Sequence, residues 1–266
     1  MLNIAIVGAS GRMGRSITAL AAEAHDVRIS GALVRPGSPA EGTRVLGVER
    51  VNYSSELSLA LEDAHVVLDF SAPASGERVA AYCAEQGLPL LVGTTGLAPS
   101  QRAPLEAAAA KTAVLLAPNT SLGVNLLLEL VRRTAAALGE EYDIEIFEAH
   151  HGQKVDAPSG TALRLGEEAA AGREQQLDST AVYQRKGQTG HRRAGDIGFS
   201  VMRGGDIAGE HTVYFAGPGE RLELTHRASS RDTFARGALN AARWLLGQRP
   251  GLYGMEHVLG VSRPTD

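Results

Sequence analysis

The chain has 266 residues, enough for two small domains or one large one, and its 44% hydrophobic and 21% charged side chains are an ordinary globular composition. A net charge of −4 and a pI near 6.1 leave no overall basic balance for nucleic acid, so any anion site must be built locally. The single cysteine, Cys83, excludes an intramolecular disulfide and lies in a helical pattern with Val79, Ala80 and Ala84, so it reads as a buried small hydrophobe.

The first run, Leu2 to Val7, is mostly apolar with several β-branched residues and reads as a buried strand ending at Gly8. It is too short for a signal peptide, and no run reaches membrane-spanning length; the expected setting is the reducing cytoplasm. A helix is predicted from Gly11 to about Ala24, with Met13, Ile17, Leu20 and Ala21 on one face. Strands follow at Val27 to Val34, Val66 to Phe70, Leu88 to Val92 and Ala113 to Ala117, with helical patterns between the later ones. This alternation implies a parallel sheet covered on both faces, a Rossmann-like doubly wound α/β unit.

After Ser121 the pattern changes. A long helix, Val124 to Leu138, leads to an alternating strand, Tyr142 to Phe147, with Ile144 facing inward and Asp143 and Glu145 outward. A helix from Gly160 to Ala171 and strands at Ile197 to Met202, His211 to Ala216 and Leu222 to Thr225 predict a second, α+β domain with an open mixed sheet. A last helix spans Thr233 to Leu246. The expected domains are 1–121 with 233–266, and 122–232.

Gly8-Ala9-Ser10-Gly11-Arg12-Met13-Gly14 lies directly between the first strand and the first helix. Glycines there permit a tight turn and close backbone approach to a pyrophosphate, and the helix start aims N–H groups at that charge. A ligand-free strand–helix turn would use the same glycines. About twenty residues past Gly14 stands Val34, where an acidic residue would hold the ribose of NAD; the next residue, Arg35, suits a 2′-phosphate, so NADPH is expected over NADH. A solvated loop arginine is the alternative. Gly93-Thr94-Thr95-Gly96 and Ala117-Pro118-Asn119-Thr120-Ser121 close two further parallel strands, where ligands collect and small residues admit a flat ring.

The densest polar stretch runs from Glu148 through His150, His151, Lys154, Asp156 and Ser159 to Thr161. Two histidines and a lysine supply protons and positive charge, and Ser159-Gly160-Thr161 at a helix start supplies N–H groups and hydroxyls. Adjacent histidines on an extended segment point to opposite sides and so have different jobs. Their spacing is poor for zinc, and no metal is expected. The bland alternative is a polar loop with Asp156 or Ser159 as a helix cap.

The run EAHHGQKVDAPSGTA, Glu148 to Ala162, resembles the signature E-x-H-H-x-x-K-x-D-x-P-S-G-T-A of the dihydrodipicolinate reductases, and GASGRMG, GTTG and the run from Ala117 to Asn125 resemble that family in the same order. The resemblance implies hydride transfer from NADPH, or NADH, to a cyclic dicarboxylate imine in lysine and diaminopimelate biosynthesis. It gives His150 a proton donor/acceptor role, Lys154 a proton donor role, and His151, Lys154, Ser159, Gly160 and Thr161 the substrate carboxylates. Gly8, Ala9, Ser10, Gly11, Arg12, Met13, Arg35, Gly93, Thr94, Thr95, Ala117, Pro118, Asn119 and Thr120 would line the cofactor. It further implies a homotetramer assembled through the second domain, the last helix returning to the first, and closure of the domains over the substrate. The chain departs from many members at Val34, where they carry an acid, and from some at Ala72, where they carry arginine. A related two-domain amino-acid or aspartate-semialdehyde dehydrogenase, or a non-catalytic NAD(P)H sensor, would share the first half.

Overall fold

The computed structural model describes residues 1–261; the end of the expected first-domain segment 233–266 therefore extends beyond the described residues. The chain forms two compact units, one of Met1–Leu122 and the chain from Asp232 on, the other Gly123–Arg231.

The first unit is a doubly wound α/β fold, as the alternating pattern predicts. Strands β1 (Leu2–Val7), β2 (Val27–Leu33), β3 (Tyr53–Ser54), β4 (Val66–Asp69), β5 (Leu90–Val92) and β6 (Ala113–Leu116) are joined by a short strand, Gly251–Tyr253. All pairings are parallel. The sheet runs from Gly251–Tyr253 through β6, β5, β4 and β1 to β2 and β3. Order reverses between β1 and β4, which leaves a crevice at their C-terminal ends. Both faces of the inner strands β1, β4, β5 and β6 are apolar because these strands are covered on both sides. Ile4, Ile6 and Leu68 pack on one side beneath helix α1 (Arg12–Glu23) and the helix Asp232–Leu245, while Ala5, Val7 and Val67 pack on the other. That second face also holds Val79 and Cys83 of the helix Gly76–Gln86, and burial pushes the Cys83 thiol up to about 12, which keeps it inert.

Three strands escaped the sequence reading: Tyr53–Ser54 and Ala181–Val182 have two residues each and Gly251–Tyr253 three, too short for periodicity to register. The helix Asp232–Leu245 lies close because its packed residues are small; it is not the last helix, since the short Met255–Val258 follows it. Ala235, Gly237, Ala238, Ala241 and Ala242 are buried, and a Cβ on Gly237 would fall 1.7 Å from the Thr120 carbonyl.

The second unit is a five-stranded mixed sheet. Its strands are β7 (Asp143–His150), β8 (Ala181–Val182), β9 (Ile197–Arg203), β10 (Gly209–Gly217) and β11 (Glu220–Ala228), in the order β11-β10-β7-β9-β8. Strands β11, β10 and β7 pair antiparallel, and β9 runs parallel to both β7 and β8. The helix Leu122–Leu138 buries Leu127, Val131 and Ala135, and Gly160–Gly172 buries Ala162, Leu165 and Ala169, in one cluster with Ile144, Ile146, Val213 and Phe215. Outward-facing Glu145 instead takes a bidentate pair from Arg185 at 2.7 and 2.8 Å.

Candidate active site

In the first unit the glycine turn is built from backbone. The N–H groups of Gly8 and Ala9 both donate to the Leu33 carbonyl, at 3.0 and 3.1 Å, and Gly11 donates back to Gly8 at 2.9 Å. Gly8 has φ +78°, and an added Cβ would stand 2.7 Å from the Phe70 carbonyl; at Gly14 it would stand 2.5 Å from that of Ala9. The N-cap of α1 is Gly11, which has no side chain to satisfy the first-turn donors. Ala9 and Gly14 are buried, Ser10 and Met13 half-buried, and Gly11 and Arg12 exposed. Val34 points into the core, at 4% exposure, and Arg35 is exposed just beyond β2.

The two other predicted turns reach the same edge of the sheet. Gly93 lies against Phe70, whose ring an added Cβ would overlap at 2.0 Å. Thr94 is buried with its hydroxyl unpartnered, and Thr95 is exposed. Ala117 is buried, Pro118 exposed, and the Asn119 side chain accepts from Ser121 N–H at 2.9 Å. Thr120 commits its hydroxyl to the Phe234 carbonyl at 2.7 Å, which ties this turn to the helix Asp232–Leu245. A dinucleotide fits these residues: an uncapped helix start, glycines whose Cβ atoms would clash with backbone, and a buried unpartnered hydroxyl suit an anion and a ring held close to the chain.

In the second unit the site is built from side chains. Glu148 and His150 follow Ile144 and Ile146 on the inner face of β7, and the Glu148 side chain is 1% exposed. A carboxylate so buried must fill its lone pairs. It accepts from Arg203 at 2.7 and 2.8 Å, from Ser159 N–H at 2.9 Å, and from His150 Nδ1 at 2.6 Å. Burial pushes the Glu148 carboxyl up, but those hydrogen bonds, Arg203 first, outweigh it and hold the group below the usual carboxylate range. Burial also lowers His150, against the pull of Glu148 and with help from Lys154 and Arg203. Neutral His150, with its proton on Nδ1 toward Glu148, turns an Nε2 lone pair away from the carboxylate.

Ser159 caps the helix Gly160–Gly172 by accepting from Ala162 N–H at 3.1 Å, and shares a hydrogen bond with His211 Nε2, also at 3.1 Å. Of the two caps considered from sequence, Ser159 is the one used. His211 is 4% exposed and packs edge-on to His150 with ring centroids 5.2 Å apart. Burial, assisted by His150, depresses it to about 3, so it is neutral. Lys154 Nζ stands 2.9 Å from Asp156, which it holds below the usual carboxylate range. A Cβ on Gly160 would meet nothing within 4 Å, so the helix start opens outward.

The adjacent histidines do diverge. His151 Nε2 accepts from Arg231 at 2.9 Å, and both line a cavity of about 410 Å³ with Gly152, Gln153, Gly205, Asp206 and Ala208. Thus His150, Ser159 and Glu148 are joined in one network, while His151 and Lys154 bond to Arg231 and Asp156 instead. Sequence reasoning passed over Glu148, Arg203, His211 and Arg231 as site residues. Glu148 was detectable, since a charge sharing the parity of Ile144 and Ile146 requires a buried partner. Arg203 and His211 lie 55 and 63 positions away and carry no local signal.

Comparison with known proteins matches the family model "Dihydrodipicolinate reductase, N-terminus" to residues 2–120 and "Dihydrodipicolinate reductase, C-terminus" to 123–259. The chain is 50% identical over 264 residues to the 4-hydroxy-tetrahydrodipicolinate reductase of Nitrosomonas europaea, and 48% identical over 264 residues to that of Nitrosospira multiformis, covering 98% of both chains in each case. It is also similar to the solved structure of a dipicolinate-bound dihydrodipicolinate reductase from Paenisporosarcina sp., with a TM-score of 0.80 at 22% identity, over 97% of this chain and 99% of the other.

Proposed function

The chain belongs to the dihydrodipicolinate reductase family, and from that premise we propose how its two units divide the work. The reaction is the NAD(P)H-dependent reduction of 4-hydroxy-tetrahydrodipicolinate to tetrahydrodipicolinate, in lysine and diaminopimelate biosynthesis. The first unit takes the cofactor: the backbone from Gly8 to Met13 faces the pyrophosphate, Arg35 the 2′-phosphate, and Gly93 to Thr95 with Ala117 to Thr120 the nicotinamide end. The bound cofactor supplies the hydride.

The second unit takes the dianionic ring. The start of the helix Gly160–Gly172 and the hydroxyl of Thr161 receive one carboxylate, and His151 with Lys154 the other. The 4-hydroxyl of the substrate leaves as water, and as a carbon of the resulting conjugated ring gains the hydride, negative charge develops toward its nitrogen. Lys154, released from Asp156, donates the proton there. His150 in its neutral form presents Nε2 as an acceptor and passes a proton on when the site resets. The observation that carries this reading is the buried contact joining Glu148 to both His150 and Ser159, which brings imidazole and helix start together. The test is substrate choice: purified protein should oxidise NADPH when freshly generated cyclic substrate is added, with NADH run in parallel. Oxidation of an acyclic amino acid with no action on the cyclic one would overturn the reading in favour of an amino-acid dehydrogenase.

Assembly as a homotetramer through the second unit is part of the proposal. Exposed Val201, Met202 and Leu222 on β9 and β11 support it, since large apolar side chains in a solvated sheet favour burial against a copy. Light scattering of the eluting protein should give four times the chain mass; a monomer would contradict it. The cytoplasm is the compartment proposed for this biosynthetic step.

A further inference from the structure

Glu148 sits where three strands meet. On β7 it faces His211 of β10 across the antiparallel ladder, while its neighbour but one, His150, faces Arg203 of β9 across the parallel one. Its two oxygens accept four hydrogen bonds, which fills a carboxylate. Three come from fixed donors: the Arg203 fork and a backbone N–H. Arg203 is itself braced by the Met202 and Asp156 carbonyls, each at 2.7 Å. The last place goes to the imidazole. A buried pair serving stability alone gains little over apolar residues of the same shape, because desolvation offsets the attraction. Here the carboxylate also spans from the imidazole to the cap of the helix Gly160–Gly172.

We infer that Glu148, clamped by Arg203, is the positioning residue of the second unit. It fixes His150 as the Nδ1–H tautomer with Nε2 offered to substrate, and through Ser159 N–H it sets the carboxylate-binding helix start in register with that nitrogen. It acts through these two residues and does not touch the ring. This rests on the proposed roles of His150 and Ser159, but its main readout does not. With all four places filled, the carboxylate can move only by releasing one of its donors. His150 would then be free to turn or change tautomer. The charged and titratable groups facing His150 are Glu148 on its own strand, Arg203 on β9, His211 on β10 and Lys154 in the following loop.

The test uses the full chain without cofactor, with ¹⁵N-labelled histidine. In the unsubstituted protein, ring nitrogen shifts should show His150 protonated at Nδ1 and bare at Nε2 near neutral pH. Protonation at Nε2 instead would overturn the inference, whatever the enzyme's activity. In Glu148→Gln, which cannot accept four bonds, the Nδ1–H form should lose its dominance and His150 should titrate at lower pH. The turnover number should fall by about 100-fold, the scale of a misplaced acid–base group, with cofactor affinity unchanged. Glu148→Asp keeps the charge and should restore part of both the tautomer and the rate. An unaltered tautomer and titration in a folded Glu148→Gln protein would reduce Glu148 to a structural residue and contradict the inference. Should that variant not fold, the comparison moves to Arg203→Lys, which keeps the charge but loses the fork; an unchanged His150 tautomer and titration there would equally contradict it. If the substrate assignment fails while the tautomer measurements hold, the positioning of His150 stands on its own.

Discussion

The glycine turn of the first unit and the His150 edge of the second, the two halves of the proposed site, are built by opposite means. The turn uses backbone: Gly8 and Gly14 leave no room for a Cβ, and Gly11 leaves the start of α1 uncapped. The His150 edge uses side chains, with Glu148, Arg203, Ser159 and His211 in one buried network and its helix start capped by Ser159. A site made of backbone is damaged by adding atoms, and one made of side chains by removing them.

Substitutions should separate the two. The largest effect belongs to the chemistry: His150→Gln and Lys154→Ala should each lower kcat by at least ~100-fold, the scale of a lost proton donor or charge stabiliser. Cofactor affinity, read by fluorescence, should stay put in both; near-normal turnover in both would remove their assigned roles. The converse is Gly14→Ala, whose Cβ would meet the Ala9 backbone. It should weaken NADPH binding by roughly tenfold or more and cost about 1–3 kcal/mol of stability, while dipicolinate binding to the second unit is unaffected. Equal loss of both ligands would blur the distinction.

Acidity should also tell the units apart. His211 titrates at about 3 in the folded chain, below its unfolded value of 6.5. The unfolded chain therefore binds the proton first, and stability present above pH 6.5 is lost as pH falls toward 3, with a limiting slope of about 1.4 kcal/mol per pH unit for one such group. Glu148, also depressed, adds a loss in the same direction at the acid end of that window. Urea unfolding followed at several pH values should show the slope, and His211→Gln should flatten it; an unchanged slope in that variant would contradict the neutral, buried assignment. The smallest effect is at Arg35, which is exposed: Arg35→Ala should raise KM for NADPH several-fold and leave that for NADH nearly unchanged, the scale of a solvated ion pair. Equal changes would mean that Arg35 does not read the 2′-phosphate.

The same contrast decided what could be read in advance. The alternation of strand and helix, the turn at Gly8 and the helix start at Ser159 are local patterns, and each appears in the fold near its predicted place. The divergence of His150 and His151 followed from strand geometry alone. The clamp on Glu148 did not, because Arg203 and His211 arrive by strand pairing from β9 and β10. Their positions in sequence look like the end of a strand before a Gly-rich turn and an ordinary member of an alternating strand. Arg231 was likewise hidden, since nothing near it in sequence points to His151.

A crystal structure with dipicolinate bound tests the account most directly. It should show one carboxylate at the start of the helix Gly160–Gly172, the other on His151, Lys154 drawn off Asp156 toward the ring, and His150 still on Glu148. Dipicolinate held elsewhere, with Lys154 still paired to Asp156, would contradict it.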